Sequence, residues 1–353
     1  MTETRKVQEI RGSYYIYLPK SWCEKNDINK KEELSIDVLE DETLLITNRN
    51  TPSPLIGKIT IDLDEWTEKT EIFDLIFSCY VCGAAYIIIE SKRKIDLQLR
   101  QEIDKNVRDL IDLEVLEEDE NKIIIKTLGQ TPEDIKNIFK RILKNVLYML
   151  EELSLSGISS VKNNDNKKVK NEINLKEFKK SAESIISRFK DVKRFASFIE
   201  RGIHMLMRNR NNLRKLKWSI NDCIFNLMVT KYIESIADHC SKVAQYITKM
   251  SENAEIDPII SKFSSAAHEV YKEVISVYQF GNMIEAYKIY NNYSEFRINF
   301  ADSQNNTNSN GTNLILYHLQ RIISYSRRIA EIAVNKYISK TVASSRIELL
   351  KKP

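Results

Sequence analysis

A regular pattern of apolar positions runs from Lys231 to Met250, in the sequence KYIESIADHCSKVAQYITKM. Apolar residues recur there at spacings of three and four, which predicts a helix with one continuous apolar stripe. Such a stripe needs partner helices to bury it, so we expect this helix to lie inside a bundle. The members of the stripe are Ile233, Ile236, Ala237, Cys240, Val243, Ala244 and Ile247.

Helical patterns occupy most of the chain after residue 131. Polar segments such as SSVKNNDNKKVKNE and DSQNNTNSNGTN separate them and are typical of exposed loops. Helices of this length joined by short or polar loops form bundles, so we expect two three-helix bundles in series, at 131–251 and 257–345. The predicted helices are 131–155, 175–207, one from 219 onward, 259–280, 283–300 and 314–340.

The first 128 residues show shorter, strand-like patterns. Four strands and a turn of helix are predicted before residue 50, and between 57 and 128 four strands alternate with two helices. The second arrangement predicts two helices packed on one small sheet. The predicted domains are therefore 1–50, 57–128 and 131–345, and the fold class is multidomain and mainly α.

Composition agrees with this class and excludes others. The chain has 353 residues, of which 29% are charged, with only eight glycines and six prolines, as suits a large, mainly helical protein. No apolar run reaches membrane-spanning length, so an integral membrane protein is not expected. The first residues lack the layout of a secretion signal and the cysteine number is odd, so we expect a cytoplasmic location.

Charge is distributed unevenly, although the net charge is only +4. Residues 162–217 hold 17 bases and 6 acids, whereas 32–42 holds six acids and no base. Within the basic part, MRNRNNLRKLKW is either a solvated turn between helices or a surface for DNA, membrane phosphate or a transporter subunit. Its cations are Arg208, Arg210, Arg214, Lys215 and Lys217.

No motif of a catalytic site is present in the sequence. Neither of the phosphate-binding patterns GxxxxGK[ST] and GxGxxG occurs. The four histidines are dispersed over predicted helices, with no nucleophile motif nearby. We therefore do not expect an enzyme.

The run YIESIADH, residues 232–239, is similar to the E-R-I-A-D-H signature of PhoU proteins, all-α regulators of phosphate uptake built from two repeated three-helix bundles. A second match, HLQRIISYSRRIAEIAVN, begins at His318 and aligns with apolar positions in register, such as Ile236 with Ile322 and Ala244 with Ala330. An internal repeat of this kind is expected from a duplicated bundle. The segment LIDLEVLEEDENKIIIK resembles the region that connects the domains of archaeal PhoU-like proteins.

This resemblance implies candidate metal ligands. PhoU proteins carry an acid-x-x-x-acid pattern in each repeat and bind iron, zinc or related cations with it; Glu234 and Asp238 match that pattern, and Asp191 matches an acid of the preceding helix. The aligned positions of the second repeat are Gln320 and Ser324, which supply no anionic ligand. The acids are thus either ligands of a divalent or ferric cation or part of a solvated polar stripe. We expect metal binding to be weak or absent and no cofactor to be required.

The segment RKVQEIRGSYYIYLPKSWCEKNDINKKEELSI resembles the AbrB/SpoVT swapped-hairpin DNA-binding domain, in the version that precedes PhoU domains in archaeal proteins. In that family two chains interlace into a dimeric barrel, and basic residues on one face contact DNA. The matching positions are Arg5, Lys6, Arg11 and Lys20. The alternative is an ordinary solvated surface on a dimerisation module, since residues 1–50 hold 8 bases against 10 acids.

Two functional hypotheses follow from these resemblances. In the first, the protein is a homodimeric DNA-binding transcriptional regulator of phosphate uptake, and its helical bundles sense or relay phosphate status. In the second, it is an adaptor that binds a phosphate ABC transporter or its signalling partner and restrains uptake without binding DNA. Fusion of the bundles to a module whose relatives bind DNA favours the first hypothesis.

Overall fold

A computed structural model describes residues 4–38, 43–48, 56–66, 68–129, 131–155, 175–208, 210–250, 257–281, 283–292 and 310–343. The chain divides into two compact units, residues 1–55 and residues 56–353. Helices account for most of the described residues and strands are confined to the first 127, so the prediction of a mainly α, multidomain chain is confirmed.

The first unit consists of two antiparallel hairpins with a short helix between them in sequence. The first hairpin turns at Arg11 and Gly12, whose φ angles are 53° and 77°. Two consecutive positive φ values make the two-residue turn whose twist suits a hairpin, and glycine adopts the second at no steric cost. The elements are β1 (Gln8–Ile10), β2 (Ser13–Tyr15), α1 (Lys20–Lys25), β3 (Leu34–Val38) and β4 (Leu44–Asn48).

Residues 56–127 form a four-stranded sheet with two helices, as the alternating patterns predict. The strand order is β5-β6-β8-β7; β5 and β6 are parallel and the other pairs are antiparallel. Isoleucines at alternate positions of β6 and β8 are buried in a core shared with α2 and α3. The elements are β5 (Ile56–Asp62), α2 (Lys69–Val81), β6 (Ala84–Glu90), α3 (Leu97–Arg108), β7 (Leu113–Asp119) and β8 (Lys122–Thr127). We refer to residues 56–127 as the α/β segment.

The remaining helices pack around α7. This helix contacts α5 on one side and α10 on the other, while α4 contacts α5, α7 and α8. The buried side chains of these helices form one continuous core across the two predicted bundles. The helices are α4 (Pro132–Leu155), α5 (Leu175–Arg208), α6 (Arg210–Leu216), α7 (Ile220–Thr248), α8 (Pro258–Phe280), α9 (283–292) and α10 (Asn310–Ala343).

The apolar stripe of α7 is buried as its spacing predicts, with each member at most 1% exposed. The helix begins with a capping box, in which the Ser219 hydroxyl accepts from the Asp222 N–H and the Asp222 carboxylate accepts from the Ser219 N–H. Burial extends beyond the stripe to polar residues such as Thr230 and Ser241. Partners on several sides of the helix therefore exclude water from most of its surface.

The basic segment MRNRNNLRKLKW is not the interhelical turn that its composition suggested. Helix α5 continues to Arg208, and α6 occupies most of the remainder. Leu213 and Leu216 are buried at a spacing of three, which orders this stretch as a short amphipathic helix. The prediction of a turn was wrong because two buried leucines outweigh the charges between them.

Three arginines of α5 attach the helical part to the α/β segment. Arg194, Arg201 and Arg208 are seven residues apart and therefore share one face of α5. Arg194 Nε donates to the carbonyl of Asp109, the residue that ends α3, at 3.1 Å. Arg208 Nη1 donates to the carbonyl of Cys82, the residue that ends α2, at 2.8 Å. These cations thus meet the negative ends of two helices.

The central arginine of this set is buried. Arg201 is 1% exposed, and its Nη1 donates to the carbonyls of Tyr80 at 2.7 Å and Ala84 at 3.3 Å. Its guanidinium carbon lies 5.1 Å from the centre of the Tyr80 ring. Burial lowers the pKa of Arg201 from its usual value. A buried cation that is held by carbonyl groups stabilises the attachment, because its removal takes away a charged donor. The Tyr80 carbonyl would keep the neutral Gly83 N–H and the Ala84 carbonyl would keep the Thr127 hydroxyl.

We expect Arg201→Met to lower the free energy of unfolding by about 2–4 kcal/mol, since two buried carbonyls lose a charged donor. Arg194→Met is the matched control, because it removes the same group from a side chain that is 42% exposed; we expect it to cost less than about 1 kcal/mol. Urea unfolding followed by circular dichroism measures both. Equal losses in the two variants would contradict this account.

Candidate functional sites

The four predicted DNA contacts lie on the surface of the first unit. Arg5 and Lys6 precede β1, Arg11 occupies the tip of the first hairpin, and Lys20 begins α1. All four side chains are exposed. Lys20 Nζ lies 3.6 Å from the Glu24 carboxylate, a pair that solvent screens because the two side chains are 90% and 66% exposed. These four cations thus lie at the surface of the first unit, and DNA binding stays a prediction.

The described part of this first unit has no buried side chain. Instead, nine large apolar side chains are at least half exposed there. A soluble chain rarely leaves so many apolar groups in water unless another surface covers them. They are Val7, Ile10, Tyr14, Tyr15, Ile16, Tyr17, Ile36, Val38 and Leu44.

The three predicted metal ligands each face a cation on their own helix. The carboxylate of Asp238 lies 2.7 Å from Lys242 Nζ, and that of Asp191 lies 3.9 Å from the Arg194 guanidinium. Glu234 is 3.8 Å from Lys231 Nζ, and burial raises its pKa. Of the three pairs, the one between Asp238 and Lys242 is close, and the other two are long enough for solvent to weaken them.

A multinuclear metal site does not fit this arrangement. Among the described ranges, no three His, Cys, Asp or Glu side chains come together as metal ligands would. Gln320 and Ser324, the aligned positions of the second repeat, add no carboxylate. Weaker binding of one cation by Glu234 and Asp238 stays a prediction that a titration with the metal alone would decide.

One cation of the basic segment MRNRNNLRKLKW contacts the α/β segment, and three others are exposed. Arg208 serves the attachment of the α/β segment. The side chains of Arg214, Lys215 and Lys217 are exposed on α6 and at its end, whereas Leu213 is buried. The side chain of Arg210 lies outside the described residues. A partner surface at this segment would therefore rest on Arg214, Lys215 and Lys217.

A buried histidine pair, which the sequence analysis did not single out, joins α7 to α10. The Nδ1 atoms of His239 and His318 are 2.8 Å apart, so one ring donates its proton and the other accepts it. Burial, and then the neighbouring His318, lower the pKa of His239 to about 4. Burial likewise lowers the pKa of His318. Both rings are therefore uncharged at neutral pH.

The internal repeat predicts a symmetry that this contact obeys. In the alignment of the two repeats, His318 corresponds to Tyr232 and His239 corresponds to Tyr325. The rings of Tyr232 and Tyr325 also meet, with centroids 5.8 Å apart. The contact between the histidines thus has a counterpart made by the aligned tyrosines, as two antiparallel helices related by an approximate two-fold axis require. The signal was present in the alignment of the two repeats: under a two-fold relation, a contact between His239 and His318 implies a contact between their equivalents, Tyr325 and Tyr232.

No protein-family model matches the chain, and neither does any curated protein. Two solved PhoU structures resemble it. One is the phosphate transport system regulatory protein PhoU from Streptococcus pneumoniae, with 15% identity and a TM-score of 0.46 over 62% of this chain and 98% of that one. The other is PhoU from Pseudomonas aeruginosa, with 14% identity and a TM-score of 0.43 over 59% of this chain and 97% of that one. In the part of the chain that the structure describes, no helix combines the length and apolar character needed to span a membrane.

We expect the histidine pair to make stability depend on pH. Because folded His239 stays neutral down to about pH 4, the unfolded chain takes up its proton first, near pH 6.5, and stability falls as the pH is lowered between these values. The groups that face His239 are His318, Asp238, Lys242 and Arg321. His239→Gln should remove about 2 kcal/mol of the loss between pH 7 and pH 5.

Urea unfolding at pH 7, 6 and 5 measures this effect. An unaltered slope in His239→Gln would contradict the prediction.

Proposed function

We propose that this protein is a cytoplasmic regulator of phosphate uptake that acts as a dimeric, DNA-binding transcriptional regulator. The observation that carries the proposal is the state of the first unit, whose hairpins expose apolar side chains and basic side chains together. Its sequence resembles the swapped-hairpin family, in which a second chain completes the core.

The exposed apolar groups support a dimer. A unit of about fifty residues has too little interior to be stable with its apolar side chains in water. The strands β1 to β4 are present only as two separate two-stranded sheets, which are marginal by themselves. A second copy that supplies matching hairpins would cover Tyr14, Val38 and their neighbours and would pair the open strand edges.

The basic groups support DNA as the ligand of such a dimer. Arg11 projects from a tight turn that fixes its backbone, while Arg5, Lys6 and Lys20 flank the same hairpin in sequence. A two-fold dimer doubles this set to eight cations, and each phosphate contact adds to affinity at low salt. The acids of residues 1–50 double as well, so DNA contact in the dimer depends on where the cations lie and not on the net charge alone.

The helical part supports the connection to phosphate uptake. The PhoU-like run YIESIADH lies within α7, whose apolar stripe is buried, and the two-fold related contacts of α7 and α10 suit a duplicated bundle. A helix in contact with both neighbours is placed to relay a change in one bundle to the other. In this proposal the bundles sense or relay phosphate status and the first unit binds DNA.

The exposed end of α6 favours a second candidate function. Arg214, Lys215 and Lys217 present positive charge on a short helix that Leu213 and Leu216 anchor in the core. Such a surface suits an acidic face of a phosphate ABC transporter subunit or of its signalling partner. In that case the protein would restrain uptake as an adaptor, and the first unit would serve for dimerisation.

Gel shifts with DNA from upstream of phosphate-transport genes test the DNA-binding function. We expect a sequence-selective shift that survives near-physiological salt and is lost in the variant with Arg5, Lys6 and Arg11 changed to Ala. The matched control changes three exposed cations of the α/β segment, Lys92, Arg93 and Lys105, to Ala.

Retention of the shift by the control and loss by the first variant would support the proposal. No shift, or one that any DNA competes away, would contradict it and would leave the adaptor function.

Sedimentation equilibrium tests the dimer. We expect the full-length protein to be dimeric, and Val38→Asp to weaken the dimer by at least about tenfold, because an apolar group at the interface would be replaced by a charge. Val342→Asp, at a residue on α10 that is 73% exposed, is the matched control and should leave the mass unchanged. A monomeric parent protein would contradict the swapped-hairpin arrangement.

A further inference from the structure

A cavity of about 700 Å³ lies between α4, the start of α7, the end of α8 and α10. Its size is in the usual range of small-molecule sites. No acidic residue is among its described lining residues, whereas five cations are. They are Lys136, Lys140, Arg141, Lys144 and Lys336.

The cations of α4 are exposed and take part in no ion pair between described residues. Arg141 instead lies over the ring of Phe195, with its guanidinium carbon 4.6 Å from the ring centre. The positive charge of this wall is therefore not cancelled within the described part of the chain. A concave surface lined by one sign of charge concentrates counter-ions of the opposite sign.

The lysines of α4 form a straight row. Lys136, Lys140 and Lys144 are four residues apart, so they lie on one face at intervals of about 6 Å and span about 12 Å. Tyr148 continues the same row by one more turn and also lines the cavity. Flexible lysine side chains along a row of this length can converge on a ligand that carries several phosphate groups, whereas a single phosphate would contact fewer of them.

Lys336 closes the cavity from α10. Its side chain is 22% exposed, and its Nζ lies 4.5 Å from the centre of the Tyr278 ring and 3.9 Å from the Asp222 carboxylate. Burial lowers the pKa of Lys336. A partly desolvated ammonium with one distant carboxylate gains more from an incoming anion than a solvated lysine does.

The other wall of the cavity is aromatic. Tyr278 is fixed because its hydroxyl donates to Asn226 Oδ1 at 2.6 Å. Trp218 is partly buried beside it, and Phe280 is 84% exposed, the largest exposed fraction among the large apolar side chains that the structure describes. An exposed aromatic face next to fixed aromatic rings is a suitable stacking surface for a planar base.

We propose that this cavity binds a nucleoside polyphosphate, with the phosphate groups on Lys136, Lys140 and Lys144 and the base against Trp218 and Phe280. The juxtaposition of a lysine row with aromatic rings distinguishes this ligand from inorganic phosphate, which would use only the cations. The inference does not depend on DNA binding, because no residue of the first unit contributes to it.

Isothermal titration calorimetry of the full-length protein in metal-free buffer measures the affinity of each probe and so tests the proposal. The probes are ATP, inorganic tripolyphosphate and adenosine. We expect ATP to bind most tightly, tripolyphosphate about tenfold more weakly because it lacks stacking, and adenosine not measurably at 1 mM.

Variants show which residues bind the phosphate groups of the ligand and which bind its base. Changing Lys136 and Lys140 to Ala should weaken ATP and tripolyphosphate alike by at least about tenfold, whereas changing Lys92 and Lys105 to Ala should change neither. Phe280→Ala removes an exposed ring and so preserves the fold; it should weaken ATP about fivefold or more and leave tripolyphosphate unchanged.

Several results would overturn the proposal. Absence of ATP binding at 1 mM would do so, and so would affinities that are unchanged in the lysine variant. Equal affinity for ATP and tripolyphosphate, with no effect of Phe280→Ala, would make this an inorganic polyphosphate site. Binding of a short single-stranded oligonucleotide through the same lysines, without ATP binding, would make it a nucleic-acid surface.

Discussion

Burial of α7 between α5 and α10 is the constraint on which the helical part depends. Because its apolar stripe is at most 1% exposed, every element around it must supply a complementary surface. The carboxylates Glu234 and Asp238 remain partly exposed and pair with lysines of the same helix. The same packing brings His239 against His318, so that a hydrogen bond between their rings joins α7 to α10.

A second constraint attaches the α/β segment to this core. Arginines are well suited to the junction because their charge persists when buried and their several N–H groups reach more than one carbonyl. Arg201 contacts carbonyls at the end of α2 and the start of β6. Each of those carbonyls also accepts a neutral hydrogen bond, from the Gly83 N–H or the Thr127 hydroxyl, and Arg201 adds a charge-assisted one. Charge-assisted hydrogen bonds therefore join α5 to the α/β segment.

The sequence predicted the positions of helices and strands better than the contacts between them. The period of the apolar residues located α7 and placed its start near residue 219, because this pattern is a local property of the sequence. The short helix α6 was missed, since Leu213 and Leu216 show their role only when a core is present. The role of Arg201 could not be predicted either, because its partners are backbone carbonyls, which every residue has. The cavity could not be predicted for a different reason: its lysines and aromatic rings come from three helices and from the segment before α7, which are far apart in the chain.

The central claim is that a phosphate signal reaches DNA through this chain, and occupancy of DNA in the living cell tests it most directly. Immunoprecipitation of crosslinked DNA, followed by sequencing, would be carried out on cells grown with abundant and with scarce phosphate. The account predicts occupancy upstream of phosphate-transport genes that differs between the two conditions. Occupancy that is absent, or that is the same in both conditions, would contradict it.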